Sequence, residues 1–119
     1  MLIQGQGKRI AAADLLEAPH IKEAEEDVIY RSRITNDATF VVPPIAQAEA
    51  GNELNIVSMA EDGSWSTYLT LSALHLGKSL EFKVFSFHFD STDWTDVHYT
   101  LKKKDGMLLS AKKTYQVKD

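Results

Sequence analysis

From Thr95 to Val117 the chain reads TDVHYTLKKKDGMLLSAKKTYQV, an apolar–polar alternation broken at Asp105-Gly106. Successive side chains of a strand point to opposite faces, so this pattern specifies a hairpin with one buried face. Val97, Tyr99 and Leu101 share that face on the outward strand. Leu109, Ala111, Tyr115 and Val117 can share it on the return. The same period of two recurs upstream, while the 3.6-residue period of an amphipathic helix is scarce.

The other segments follow the same logic. ELNIVSMA (Glu53–Ala60) alternates and ends at Glu61-Asp62-Gly63, a hairpin-type turn. SWSTYLTL (Ser64–Leu71), rich in β-branched and aromatic residues, is its return strand. Of its two faces, Trp65, Thr67 and Leu69 form one and Ser64, Ser66 and Tyr68 the other, and one set must face solvent. SLEFKVFSF sets Leu80, Phe82 and Val84 inward and Glu81 and Lys83 outward. Leu54, Ile56, Leu80, Phe82, Val84, Tyr99 and Leu101 are the expected core. Upstream, Ile21–Ala24, Val28–Tyr30 and Phe40–Val42 read as short strands, the last stopped by Pro43-Pro44. Ser72–Gly77 reads as a connection with one helical turn. Residues 1–16, with Gly5, Gly7 and Ala11-Ala12-Ala13, read as a flexible leader, and 17–119 as one domain. About seven short strands with turn chemistry between them predict an all-β antiparallel sandwich.

At 119 residues the chain suits a single core, and 44% hydrophobic residues suffice to fill it. The 13 Lys+Arg against 17 Asp+Glu give a net charge of −4, which argues against a nucleic-acid binder. Acidic residues dominate Asp14–Asp62, and most lysines fall in Lys78–Lys118. Lys102-Lys103-Lys104 reads as a solvated hairpin end. With no cysteine, disulfides, thiolate nucleophiles and Cys-ligated zinc are absent. No apolar run reaches the length of a signal-peptide core or a membrane span, so neither export by the common route nor membrane insertion is expected.

Several segments together carry a resemblance: APHIKEA, VVPPIAQAEAGNELNIV, STYLTLSALHLGKSLEFKV and the final hairpin. They resemble the immunoglobulin-like repeats of large surface proteins in pseudomonads and related bacteria, over roughly residues 18–117. Pro43-Pro44 stands where the repeats have VPY, and Gly51-Asn52-Glu53-Leu54 where they have GD-V. Leu76-Gly77-Lys78-Ser79-Leu80-Glu81-Phe82 stands for LG-P-F, and Val97-His98-Tyr99-Thr100 for V-Y-VT. The chain has one copy where the family has tandem arrays. The resemblance implies an immunoglobulin-like sandwich serving as a non-catalytic interaction or structural module, with a protein or a cell-surface glycan as partner.

Chemistry concentrates in FHFDSTDWTDVHYT, Phe87–Thr100. Asp90, Asp93 and Asp96 read first as turn-formers in a loop, because their side chains bond the local backbone. The competing reading makes them calcium ligands, since calcium takes six to eight oxygens, although the alternate spacing and closing Glu of an EF-hand are missing. Trp94, among polar neighbours, is the expected contact residue at a loop tip, with Asp90 and Asp93 beside it. A carbohydrate-binding sandwich using residues 88–96, with or without calcium, is the alternative function. Strand alternation puts His88 and His98 on the solvent side of Phe87, Phe89, Val97 and Tyr99. Ser86, Ser91 and Thr92 lie near these histidines, but no nucleophile elbow or glycine-rich oxyanion motif accompanies them. Gly5-Gln6-Gly7 precedes no strand–helix unit, and the Glu23–Val28 acidic run reads as a solvated edge. No enzyme, no catalytic residue, no metal ligand set and no cofactor is expected.

Overall fold

A computed structural model describes residues 15–119. The expected leader therefore falls outside the described residues, except for Leu15 and Leu16. Nine strands follow in order: β1 (His20–Ile21), β2 (Val28–Tyr30), β3 (Asp37–Val42), β4 (Glu53–Ala60), β5 (Gly63–Thr70), β6 (Leu80–Phe85), β7 (Trp94–Lys103), β8 (Gly106–Leu109) and β9 (Lys113–Lys118). Single 3-10 turns lie at Arg31–Arg33, Ala73–His75 and Ser86–Phe89. Among the described residues no helix is long and apolar enough to cross a membrane.

The strands form two layers. The larger sheet runs β2-β9-β7-β4-β5, with β8 also paired to β7, and the smaller runs β1-β3-β6. Pairing is antiparallel except between β2 and β9. The period-2 pattern explains the packing. On β4, Leu54, Ile56, Ser58 and Ala60 face inward, in register with Leu101, Tyr99, Val97 and Thr95 of β7. On the opposing layer Ala38, Phe40 and Val42 of β3 lie beside Val84, Phe82 and Leu80 of β6. Phe40 is fully buried, whereas Phe82 and Leu80 are half-buried against the core. Trp65 and Leu69 also face in, and Trp65 packs against Phe40 with ring centroids 6.4 Å apart. Ser64, Ser66 and Tyr68 face out.

Local chemistry redirects the chain in three places. The first extended segment is shorter than its expected Ile21–Ala24, because Ala24 N–H turns back to Ile21 C=O and the Glu23 carboxylate accepts from Thr39 N–H and Oγ. The alternation of SLEFKVFSF stops at Phe85, where Ser86 N–H donates to Asn36 C=O and a 3-10 turn begins. The return strand of the final hairpin splits into β8 and β9 at Ser110. There the Ser110 hydroxyl accepts from Tyr99 N–H, and Leu16 inserts alongside, donating to Leu109 C=O and accepting from Ala111 N–H. Leu16 is buried in the core. This split adds one strand to the eight extended segments read from the sequence, so nine stand where about seven were expected. The lysine-rich end of that hairpin is also more than solvated: Lys103 Nζ donates to Gln47 C=O at 2.5 Å and Glu49 Oε1 at 2.8 Å.

Two buried tyrosines tie the N-terminal segment to the larger sheet. Ile21 N–H donates to Tyr115 Oη at 3.0 Å, and Tyr99 Oη donates to Glu17 C=O at 2.6 Å. Burial pushes both phenols up, Tyr99 to about 12 with the Glu17 charge adding to the shift. Tyr115→Phe leaves the Ile21 N–H buried without its acceptor, at an expected cost of about 1–3 kcal/mol. Phe40→Ala should cost about 3–5 kcal/mol, more than Phe82→Ala, which removes a half-buried ring. Urea titrations of the three variants check this order, and an unchanged midpoint for Phe40→Ala would contradict the packing described here.

Candidate functional site

The histidine- and aspartate-rich stretch closes one end of the sandwich. Phe89, at the end of the 3-10 turn, is 1% exposed and plugs the core. From one side Arg31 holds the loop, its guanidinium donating to Phe89 C=O (2.8 Å) and Thr92 C=O (2.5 Å). From the other, the two-residue β4–β5 turn holds it. Glu61 N–H donates to the buried Thr92 hydroxyl, which itself donates to Trp94 C=O at 2.6 Å. Asp93 N–H donates to Glu61 Oε1 at 2.9 Å, and Ser91 Oγ donates to Asp62 Oδ2 at 2.7 Å. Gly63 leaves this turn at φ 147°, a conformation that favours glycine. Turn and loop thus frame an open groove of about 310 Å³, with Asp62, Gly63 and Ser64 on one wall and Phe87, His88 and Ser91 on the other.

Above the groove stands an aromatic ledge. Phe85 and Phe87 stack with centroids 5.7 Å apart and planes 14° from parallel, yet they are 55% and 68% exposed. Two solvated phenylalanine rings side by side are the kind of exposed apolar surface that marks contact sites.

His88 does not point to solvent as strand alternation implied. The 3-10 turn rotates it inward, edge-on to Phe89, and its Nε2 lies 3.0 Å from Ser58 Oγ. Ser58 Oγ is 3.0 Å from Thr95 Oγ1, and Thr95 Oγ1 donates to Met59 C=O at 2.7 Å. Each hydroxyl has one proton, so the direction of the chain is fixed. Thr95 gives its proton to Met59, Ser58 gives its own to Thr95, and His88 Nε2–H must donate to Ser58. The imidazole is a donor toward this serine, the reverse of a general base, and Ser58 is fully buried. The network therefore satisfies two hydroxyls in the core row of β4 and β7. His88 and Ser58 are thirty residues apart, and the sequence signal for their meeting was the pair of hydroxyls, Ser58 and Thr95, in otherwise apolar rows.

The remaining site candidates are dispersed. Trp94 is the first residue of β7 rather than a loop tip, paired with Gln116 and half-buried on the outer face of the larger sheet. Asp90 is exposed at the end of the 3-10 turn. Asp96 lies on β7, accepting from Thr114 Oγ1 at 2.7 Å with Lys112 Nζ at 3.7 Å. Among the described residues no group of three His, Cys, Asp or Glu side chains is placed to hold a metal ion, so Asp90, Asp93 and Asp96 are not gathered. His98, on the outer face of β7, keeps a buried Nδ1 without a partner among the described residues. No protein-family model, curated protein or solved structure matches the chain.

Burial lowers the pKa of His88, and burial with the Lys112 charge lowers that of His98, against an opposing pull from Asp96. A base whose folded pKa lies below its unfolded value binds its proton more readily when unfolded. Stability from both residues is then present above about pH 6.5 and is lost as pH falls below it. Unfolding titrations should show a weaker fold at pH 5 than at pH 8. The His88→Gln/His98→Gln variant should flatten that difference, and an equal pH response in variant and parent would remove the histidines as its source.

Proposed function

We propose that the chain is a non-catalytic interaction module on an immunoglobulin-like plan, contacting a protein or a cell-surface glycan at the groove end of the sandwich. The observation that carries the reading is the exposed Phe85–Phe87 stack beside a groove whose polar groups, Asp62, Ser91 and His88, are held by a fixed loop. Rings that gain nothing from the core at 55% and 68% exposure gain their burial from a partner.

The plan is supported by strand order. The larger sheet places its last strand between a short early strand and β7, then continues to β4 and β5. In immunoglobulin lettering this is A′-G-F-C-C′ against A-B-E, with a 3-10 turn in place of strand D. The non-catalytic character is supported by the donor direction at His88 and the burial of Ser58. The carbohydrate reading stays open on one feature, a flat aromatic ledge next to hydroxyl and carboxylate groups, which is what a sugar ring uses.

The test is a binding screen of the intact chain on a glycan array, with and without chelator, run beside a panel of cell-surface proteins. Binding on either should fall by about tenfold or more in the Phe85→Ser/Phe87→Ser variant. Its melting temperature should move by no more than about 3 °C, since both rings are exposed. Full binding by this variant would take the ledge out of the contact.

A further inference from the structure

The structure points to a second contact surface, independent of the aromatic ledge: we infer that β5 is the seam of a symmetric dimer, pairing edge to edge with β5 of a second copy. Strand β5 ends the larger sheet, and among the described residues nothing pairs with its outer side. An open edge is ordinarily guarded by short length, charge or proline. Every other edge here is guarded. Strand β1 has two residues, and β2 has three between Asp27 and Arg31. Strand β6 presents Glu81 and Lys83, both exposed. Strand β8 has four residues and follows Lys102–Asp105. By contrast β5 runs for eight residues, is mostly exposed, and bears no charge or proline. No Asp, Glu, Lys or Arg occurs from Gly63 to Gly77, the longest such run in a chain that is 25% charged.

The edge is also self-complementary. Leu71 N–H donates to Asn52 C=O, and Leu71 C=O accepts from Gly51 N–H, so both groups point toward β4. Alternation gives Trp65, Thr67 and Leu69 the same direction. It leaves the N–H and C=O groups of Ser64, Ser66, Tyr68 and Thr70 pointing out. An antiparallel copy centred on Thr67 sets Ser64 opposite Thr70 and Ser66 opposite Tyr68, so each outward group finds a partner. The same register keeps like faces together, as a two-fold axis requires. Trp65 then meets Leu69 of the copy, covering side chains that are only half-buried in the monomer. The acidic turn Glu61-Asp62 falls opposite Ala73 and Ser72, so no like charges meet. Pairing consumes the edge on both copies, and the assembly closes at two.

Sedimentation of the intact chain from micromolar to about 1 mM should show the mass doubling with concentration. Ser66→Pro deletes an outward N–H, which a monomer tolerates on a free edge, and should hold the mass at one chain with an unchanged circular dichroism spectrum. Should that variant unfold, Thr67→Lys, which sets two ammonium groups face to face on the axis, must give the same loss. Register is read by cysteine, because the chain has none. Under mild oxidation Thr67→Cys should form a covalent dimer, its Cβ atoms approaching to about 4.5 Å, while Ser66→Cys and Tyr68→Cys should not. A monomer at every concentration overturns the proposal, whether the edge is then covered by residues 1–14 or by a foreign strand. So does a dimer that survives both edge variants, a larger assembly, or crosslinking centred on residue 66 or 68.

Discussion

The hydrogen bond from Ile21 N–H to the Tyr115 hydroxyl joins what the backbone ladders cannot. Ladders stabilise each sheet internally, but nothing in them relates one sheet to the other. Apolar contact between sheets is non-directional and tolerates sliding. A buried donor with a single acceptor in reach does not, since losing it strands a polar group in the core. Tyr115 stands on β9, and its hydroxyl meets the backbone of β1, the shortest strand of the smaller sheet. Tyr99, on β7, holds the segment just before β1 through Glu17 C=O. With Leu16 inserted at Ser110, these bonds fix where the chain enters the domain and hence how β1-β3-β6 lies over the larger layer.

The strands were legible because two-residue alternation and burial describe one fact. A residue between Leu54 and Ile56 has to face the other way, and Glu53–Ala60 follows from that. On β5, by contrast, alternation separated the Trp65/Leu69 and Ser64/Tyr68 faces, and only packing on Phe40 chose between them. What escaped was any place where alternation continues on paper while the chain turns. In SLEFKVFSFHF Phe85, Phe87 and Phe89 keep a two-residue spacing, yet Phe85 and Phe87 are solvated and Phe89 is buried. The pattern contains no proline or glycine to mark the change. It comes from partners distant in sequence: Asn36 C=O, which takes the last ladder bond, and Arg31, which draws in the loop carbonyls. The same remoteness hid the candidate site. Trp94 looked like a loop residue from its neighbours, but Thr92 and Glu61 shorten the loop and start β7 there.

The aspartates illustrate the point from the other side. They were expected to turn the chain by bonding its backbone, yet Asp90 only ends the 3-10 turn. Asp93 enters the loop's bonding through its N–H rather than its carboxylate, and Asp96 lies within β7. The loop is instead held mainly by Thr92, Glu61 and Arg31, since a threonine hydroxyl both donates and accepts and can therefore bridge two backbone groups. A carboxylate only accepts, and an exposed one adds little in water. Composition put the acidic residues in view, while burial selected the groups that matter.

The open side of the sandwich connects these observations. Strand β5 ends one sheet and β6 ends the other, and the connection between them spends its residues on the Ser72-capped 3-10 turn rather than on a strand that would cover the gap. Side chains that would be core under such a strand are therefore half-buried: Trp65 and Leu69 from β5, Leu80 and Phe82 from β6. The same gap ends in the groove, where Gly63 and Ser64 face Phe87 and His88. Charge is withheld from β5 and the Phe85–Phe87 stack stands exposed nearby. A monomer gains nothing from either arrangement, since charge on β5 would protect it and polar residues at 85 and 87 would dissolve better. Both features border the same gap, which no strand among the described residues covers, and their nearness follows from that.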